Sequence, residues 1–311
     1  MRKGKFKIIP IIIILVVLGL IGYGVKCIVD TVNYHKTYEY KLLKVGYSKD
    51  EIKTIEKLSD KTKDYMLEID YDKNIISFAK EKYFIEDNLK EYLAYLKDSD
   101  YDFTDVVAII NVGANNDWYT NTKSTDLSKG NLILVNKFHS LDNTYGSDEM
   151  VPISNRYSYG EDQKVTEDTF NAFLNMWAAA KEENLTLIIN SSFRSFEDQD
   201  EIYNEYKSTR GEEAADKIAA RPGFSEHQTG MAIDIQTYGS RAATFEEFEE
   251  FKWLKDNAYK YGFILRYPKD KEYITGYDYE SWHYRYVGVK VASYIHENNI
   301  TFDEYYAYFL R

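Results

Sequence analysis

The 311-residue sequence predicts an α+β fold in its C-terminal part, preceded by an N-terminal transmembrane helix and a helical module. Three observations predict it. An uncharged apolar run occupies residues 8–25. The stretch from 28 to about 124 places apolar side chains at helical spacing. Beyond 125, short β-rich segments and amphipathic helices mix without regular βαβ alternation.

The eighteen residues 8–25 suffice to cross a bilayer with little tilt. Arg2, Lys3, Lys5 and Lys7 precede them, so the positive flank lies on the cytoplasmic side and residues 27–311 outside the cytoplasm. A cleaved signal peptide is the competing reading, but YGVKC (23–27) offers no small-x-small site. Lys26 also departs from the small residue that precedes the cysteine at a lipoprotein cleavage site. Residues 1–27 are therefore read as an uncleaved, single-pass anchor in the cell membrane.

Residues 28–124 read as a helical spacer or accessory module. SKDEIKTIEKL (48–58) carries Ile52, Ile55 and Leu58 at helical spacing, and Ser48 with Glu51 forms a capping-box pattern. FIEDNLKEYLAYLKD (84–98) sets Ile85, Leu89, Tyr92, Leu93 and Leu96 on one stripe, and the Asn- and Gly-rich 111–122 reads as loop.

The domain at 125–311 opens with a predicted strand at 131–137. A helix over 166–184 follows, capped by Thr166, with Phe170, Phe173, Leu174 and Trp177 inward. Further expectations are a strand at 185–190, a helix at 195–208 entered through Ser195, one helix over 245–262 stopped by Gly262, a strand at 281–288 and a helix at 289–298.

Composition narrows the function classes. A net charge of −12 with no basic stripe beyond the N-terminus excludes a nucleic-acid binder. The single cysteine, Cys27, precludes an intramolecular disulfide. Nothing marks an obligate protein partner.

The chemistry-bearing residues cluster in three segments. In SEHQTGMAID (225–234), Asp234 stands between Ile233 and Ile235, where an ionised carboxylate is costly unless compensated. Strand alternation turns Met231, Ile233 and Ile235 one way and Ala232 and Asp234 the other. Gly230 permits a sharp entry, so His227 and Asp234 can converge on one cation; a cap or an ion pair would also accommodate the aspartate. YESWHYRYVG (279–288) adds His283 and Glu280. Two His and one Asp leave a tetrahedral zinc with an open position, the pattern of a catalytic site, with Glu280 as base for a water. A regular strand would put Glu280 and His283 on opposite faces, so a bend between them is required. In NSSFRSFEDQ (190–199), Arg194 follows a strand, where its guanidinium either grips a carboxylate or oxyanion or makes a surface ion pair. His35, His139 and His296 read as surface or packing residues, and HENNI (296–300) lacks the second histidine of a zinc-protease helix.

Together these segments resemble the VanY-type D-alanyl-D-alanine carboxypeptidases, zinc peptidases that share their fold with the Hedgehog signalling domain. Ser225, His227, Gly230, Ala232 and Asp234 match the pattern Ser-x-His-x-x-Gly-x-Ala-x-Asp. Glu280, Trp282 and His283 match Glu-x-Trp-His, and Arg194, Ser195 and Gln199 match Arg-Ser-x-x-x-Gln. The resemblance covers about residues 125–300. It implies a small antiparallel sheet flanked by helices and one Zn²⁺ per chain, held by His227, Asp234 and His283. It implies that Glu280 is the general base, that Arg194 steadies the substrate carbonyl, and that Ser225, Gln199, Trp282 and Ser195 contact substrate. Ser281 and Phe193 depart from a proline and a tyrosine common in the family.

The implied reaction is hydrolysis of the terminal D-alanine from peptidoglycan stem peptides ending in D-Ala-D-Ala. The alternatives are an L,D-carboxypeptidase acting on tetrapeptide stems and a non-catalytic, zinc-stabilised wall-binding protein. Ser77–Lys80 fits the Ser-x-x-Lys of penicillin-sensitive serine enzymes, but no Lys-Thr-Gly follows.

Overall fold

A computed structural model describes residues 8–146, 150–160 and 162–311. Arg2, Lys3, Lys5 and Lys7, on which the predicted orientation of the anchor rests, lie outside the described residues. The chain divides into two compact units, 1–107 and 108–311, described in turn.

In the first unit, α1 (Ile8–Lys36) is followed by α2 (Tyr38–Val45), α3 (Lys49–Ile55), α4 (Asp60–Glu68), α5 (Lys73–Phe78) and α6 (Leu89–Lys97). The segment Ile12–Lys36 is long and apolar enough to cross a membrane, and Ile12, Leu15, Val16 and Ile21 are all exposed. The Ser48–Glu51 capping box is present at the start of α3. Ile52, Ile55, Met66, Phe78, Leu89 and Tyr92 are buried, as amphipathic spacing requires.

After α7 (Phe103–Val112), the chain runs β1 (Lys123–Ser124), β2 (His139–Ser140), β3 (Met150–Pro152), β4 (Lys164–Thr166), α8 (Glu167–Glu182), β5 (Ile188–Ser191), α9 (Phe196–Arg210) and α10 (Glu212–Ile218). Then come β6 (Ala232–Gln236), α11 (Glu249–Asn257), β7 (Phe263–Leu265), α12 (Glu272–Thr275), β8 (His283–Tyr286), α13 (Val289–Asn298) and α14 (Phe302–Phe309). The central sheet has four strands in the order β5-β6-β8-β7, every pair antiparallel.

Register gives this sheet two different faces. Ile233 pairs with Tyr284 and Ile235 with Ile189. All four enter an apolar core with Phe173 and Met176 of α8, Trp253 and Leu254 of α11, and Phe263 of β7. Each such side chain contributes about 1.5–3 kcal/mol by leaving water. The opposite face carries Asp234 across from His283 and Ala232 across from Arg285. One face thus holds the sheet in place while the other is free to carry charge.

Several local expectations are corrected. Residues 131–137 form no strand: Ile133, Leu134 and Val135 are buried, but the Thr125 hydroxyl bonds the Leu134 carbonyl and Arg285 bonds the Asn131 and Ile133 carbonyls. Side chains meet carbonyls that a ladder would otherwise have met. The single helix expected over 245–262 breaks at Phe248, which is extended (φ −89°, ψ 152°). Glu249 and Glu250 then open α11, where acidic residues favour a helix N-terminus, and Glu250 also accepts from Thr186 N–H and the Thr237 hydroxyl. The buried stripe of α8 runs through Thr169, Phe173, Met176 and Ala180, with Phe170, Leu174 and Trp177 beside it only partly buried. Met231 precedes β6 and packs with Ile133, Val135 and Leu141 rather than with Ile233.

Candidate active site

The site is built on the polar face of the sheet. Ser225 Oγ accepts the His227 N–H at 3.3 Å and so starts the 3-10 turn Glu226–Thr229. Gly230 ends that turn in the left-handed region (φ 66°) and delivers the chain into β6. A Cβ on Gly230 would lie 2.3 Å from Met150 Sδ and 3.3 Å from Thr166 N. Met150 can yield, but the backbone conformation cannot be relieved. Gly230→Ala is therefore expected to lower unfolding free energy by about 1–3 kcal/mol, read from the urea midpoint.

Three buried side chains converge beyond this turn: His227, Asp234 and His283, with one ligand atom from each lying within 4.8 Å of the others. Asp234 Oδ1 stands 3.4 Å from His227 Nε2 and 3.4 Å from His283 Nδ1. The imidazole rings cross at 82° with centroids 4.9 Å apart. His227 Nδ1 lies 2.7 Å from the Ser192 carbonyl, which only accepts, so Nδ1 carries the proton and Nε2 presents its lone pair to the cluster.

These residues fit a zinc ion. Asp234 Oδ1 is buried with no hydrogen-bond partner, although two imidazole nitrogens face it. Ligand atoms each about 2.1 Å from a tetrahedral zinc lie about 3.4 Å apart, the distance at which Asp234 Oδ1 stands from each imidazole nitrogen. The charge balance agrees. Burial would raise the Asp234 carboxyl, but His227 and then His283 hold it well below the usual carboxylate range. Burial lowers His227, more than Asp234 raises it, which favours the neutral, ligating imidazole. Burial also lowers His283, but Asp234 and Glu226 outweigh it and lift the ring to about 9; a cation at the same point would take that proton's place.

Glu280 flanks the cluster. Ser281 and Trp282 form a turn immediately before β8, the required bend, and Glu280 Oε2 comes to 3.5 Å from His283 Nδ1. Burial pushes the Glu280 carboxyl up to about 7, with His283 pulling it back and Asp234 pushing it further up. Such a group is poised to accept a proton near neutral pH.

Arg194 approaches from the end of β5. Its Nη1 donates to Gln199 Oε1 at 2.6 Å and its Nη2 to Ser191 Oγ at 3.1 Å, while Gln199 Nε2 donates to the Ala220 carbonyl at 2.7 Å. Gln199 thus ties the guanidinium to the chain after α10. Arg194, Gln199, Ser225, Glu280 and Trp282 all line one cavity of about 240 Å³ together with the three candidate ligands. Ser195 is not among the lining residues: its hydroxyl donates to Asp198 Oδ2 at 2.8 Å in the capping box of α9.

Residues outside the sequence reading also belong here. Glu226, between Ser225 and His227, lines the cavity and is 1% exposed. Tyr267 stacks obliquely on His283, centroids 4.9 Å apart, and Tyr277 closes the same wall. Nothing in the sequence marks them: Glu226 is an acidic residue in a polar turn, and the two tyrosines are among thirty. The remaining histidines pack elsewhere: His296 stacks on Tyr259 at 3.9 Å, His35 on Tyr40 at 4.1 Å, and His139 Nδ1 meets Asn136 Oδ1 at 3.0 Å.

Comparison with known proteins gives a consistent picture. The family model for VanY, D-alanyl-D-alanine carboxypeptidase, matches residues 162–289. YodJ of Bacillus subtilis is 44% identical over 184 residues, which are 56% of this chain and 66% of YodJ, so the chain spans just under two thirds of that relative. A D-alanyl-D-alanine carboxypeptidase of Enterococcus faecalis is 34% identical over 189 residues, 58% of this chain and 67% of that protein. Among solved structures, the LdcB LD-carboxypeptidase matches with a TM-score of 0.57 and 38% identity, over 61% of this chain and 91% of LdcB. With His227, Asp234, His283 and Glu280 gathered at one face of the sheet, inside the span 162–289 that the family model matches, and a 34% identical relative covered over 67% of its length, the chain belongs to the VanY family of carboxypeptidases.

Proposed function

We propose that this protein is a zinc-dependent carboxypeptidase that removes the terminal D-alanine from peptidoglycan stem peptides ending in D-Ala-D-Ala. The observation that carries it is the buried His227–Asp234–His283 group, with its orphaned carboxylate oxygen, beside the Glu280 carboxyl. His227, Asp234 and His283 would hold one zinc ion, which when bound supplies Lewis acidity to a water and a carbonyl. Glu280 takes a proton from the attacking water as its oxygen bonds the scissile carbonyl carbon. It then returns the proton to the departing D-alanine nitrogen as the C–N bond breaks. Arg194, held rigid by Gln199 and Ser191, stabilises the carbonyl oxygen as charge develops there. Gln199, with both ends of its amide engaged, acts through Arg194, while Ser225 and Trp282 bound the space for the substrate's end.

In this reading α1 anchors the protein in the cell membrane, the catalytic domain occupies 125–311 on the outer side, and 28–124 is a spacer or accessory module. The likeness to LdcB favours a second reading, an L,D-carboxypeptidase that takes D-alanine from tetrapeptide stems.

Purified protein given defined pentapeptide and tetrapeptide stems separates these readings by which one releases D-alanine. Release is expected from the pentapeptide, abolished by EDTA, restored by zinc and indifferent to penicillin. Activity that survives EDTA and falls to penicillin would overturn the zinc mechanism.

A further inference from the structure

Behind His283 lies a buried set of charges that the proposed chemistry does not use. Glu226 Oε1 accepts from Arg266 Nε at 2.8 Å and from Arg285 Nη1 at 3.0 Å. Arg266 Nη1 also donates to Asp303 Oδ2 at 2.5 Å, and Asn136 Nδ2 bonds the other Asp303 oxygen at 2.7 Å. Arg285 spends Nη2 on the Asn131 and Ile133 carbonyls. All four charged side chains are at most 2% exposed, and their formal charges sum to zero. With Oε1 used twice, Glu226 Oε2 is left without a hydrogen-bond partner. The atom it faces is His283 Nε2, 3.5 Å away and equally without one.

We infer that Glu226 is a positioning residue for the metal site: its carboxylate keeps the His283 proton on Nε2 and turns Nδ1 toward the metal, with Arg266 and Arg285 fixing that carboxylate in place. A lone pair on Nε2 would point at a carboxylate oxygen in a region closed to water, so the proton belongs there, and Nδ1 carries the lone pair toward Asp234. His227 is set the opposite way, with Nδ1–H on the Ser192 carbonyl and Nε2 inward. The two histidines thus ligate through different nitrogens, each dictated by the group on its far side. Two guanidiniums converging on one oxygen leave Glu226 no freedom to swing away from the ring.

This inference rests on the reading of His227, Asp234 and His283 as zinc ligands, and the experiment separates the two. Zinc affinity is measured on the full-length protein by competition with a chromophoric chelator, for wild type, E226Q and E226D. Wild type is expected to bind one zinc; if it binds none, the metal reading itself falls. In E226Q the amide offers an N–H to Nε2 and so drives the His283 proton to Nδ1, the ligating atom; zinc affinity is expected to fall about 10–100-fold. E226D keeps the charge against both arginines but withdraws the carboxylate by one methylene, with an expected loss of roughly 10-fold. Long-range ¹H–¹⁵N spectra of zinc-loaded wild type should show His283 as the Nε2–H tautomer and His227 as the Nδ1–H tautomer. That readout needs no variant, so it decides the question even if E226Q does not fold. Unchanged affinity in folded E226Q and E226D, or His283 protonated at Nδ1 in the wild type, would overturn the inference while leaving zinc binding intact.

Discussion

Glu280→Gln is expected to cut turnover by about 10²–10⁴-fold while zinc content stays at the wild-type level. Glutamine matches glutamate in size and keeps a carbonyl oxygen, but it cannot take a proton from water. The Glu280 side chain is only 15% exposed and sits 3.5 Å from a candidate ligand, so the amide occupies the same space and disturbs no core contact. Because burial already disfavours the charged form there, the substitution is not expected to cost stability. The measurement pairs single-turnover rates on a D-Ala-D-Ala stem peptide with metal analysis of the same preparation. A near-wild-type rate would remove Glu280 as the base and require another group to take the water's proton. Loss of zinc together with rate would instead make Glu280 a ligand.

The contrast between Glu280 and Glu226 explains how much of this site was legible in the sequence. His227, Asp234, Glu280 and His283 stood out because each breaks a local expectation: a carboxylate in an apolar strand, a histidine in a glycine-bounded turn, a Glu-x-Trp-His run. Glu226 breaks none, since an acidic residue in a polar turn is unremarked until the fold buries it. Its partner Arg266 follows directly on β7 and its partner Arg285 lies in β8, forty and fifty-nine positions away in the chain, and the β7–β8 pairing sets the two arginines side by side. Strand alternation sorted Ile233 and Ile235 from Asp234 correctly because the period of two is imposed by the backbone. The same reasoning misplaced residues 131–137, where an apolar run resembles a strand but its carbonyls are claimed by side chains. Apolar pattern reports burial; it does not say which donors the carbonyls will find. Ser195 shows the limit in another form: its place in the Arg-Ser-x-x-x-Gln pattern suggests substrate, yet its hydroxyl is committed to the N-terminus of α9.

Asp234→Ala is expected to abolish stoichiometric zinc binding and with it the thermal stabilisation that zinc confers on the wild type. Asp234 is the shared member of the cluster: its Oδ1 lies 3.4 Å from a nitrogen of each histidine. Without it, two neutral imidazoles remain, one negative charge short of the donor set that suits a catalytic zinc. Ligand that binds only the folded state stabilises it by about 2.7 kcal/mol at a hundredfold excess over Kd. For a unit the size of residues 108–311, which carries the site, that corresponds to a rise in Tm of about 5–10 °C. Wild type should show that rise on zinc addition and lose it on chelation; D234A should melt at one temperature with or without zinc. Asp234→Asn separates charge from shape, since the amide fills the volume but brings no negative charge, and it should behave as D234A does in zinc response. A zinc-dependent Tm rise that persists in D234A would show that the histidines bind metal without Asp234, and the carboxylate between Ile233 and Ile235 would then need a different explanation.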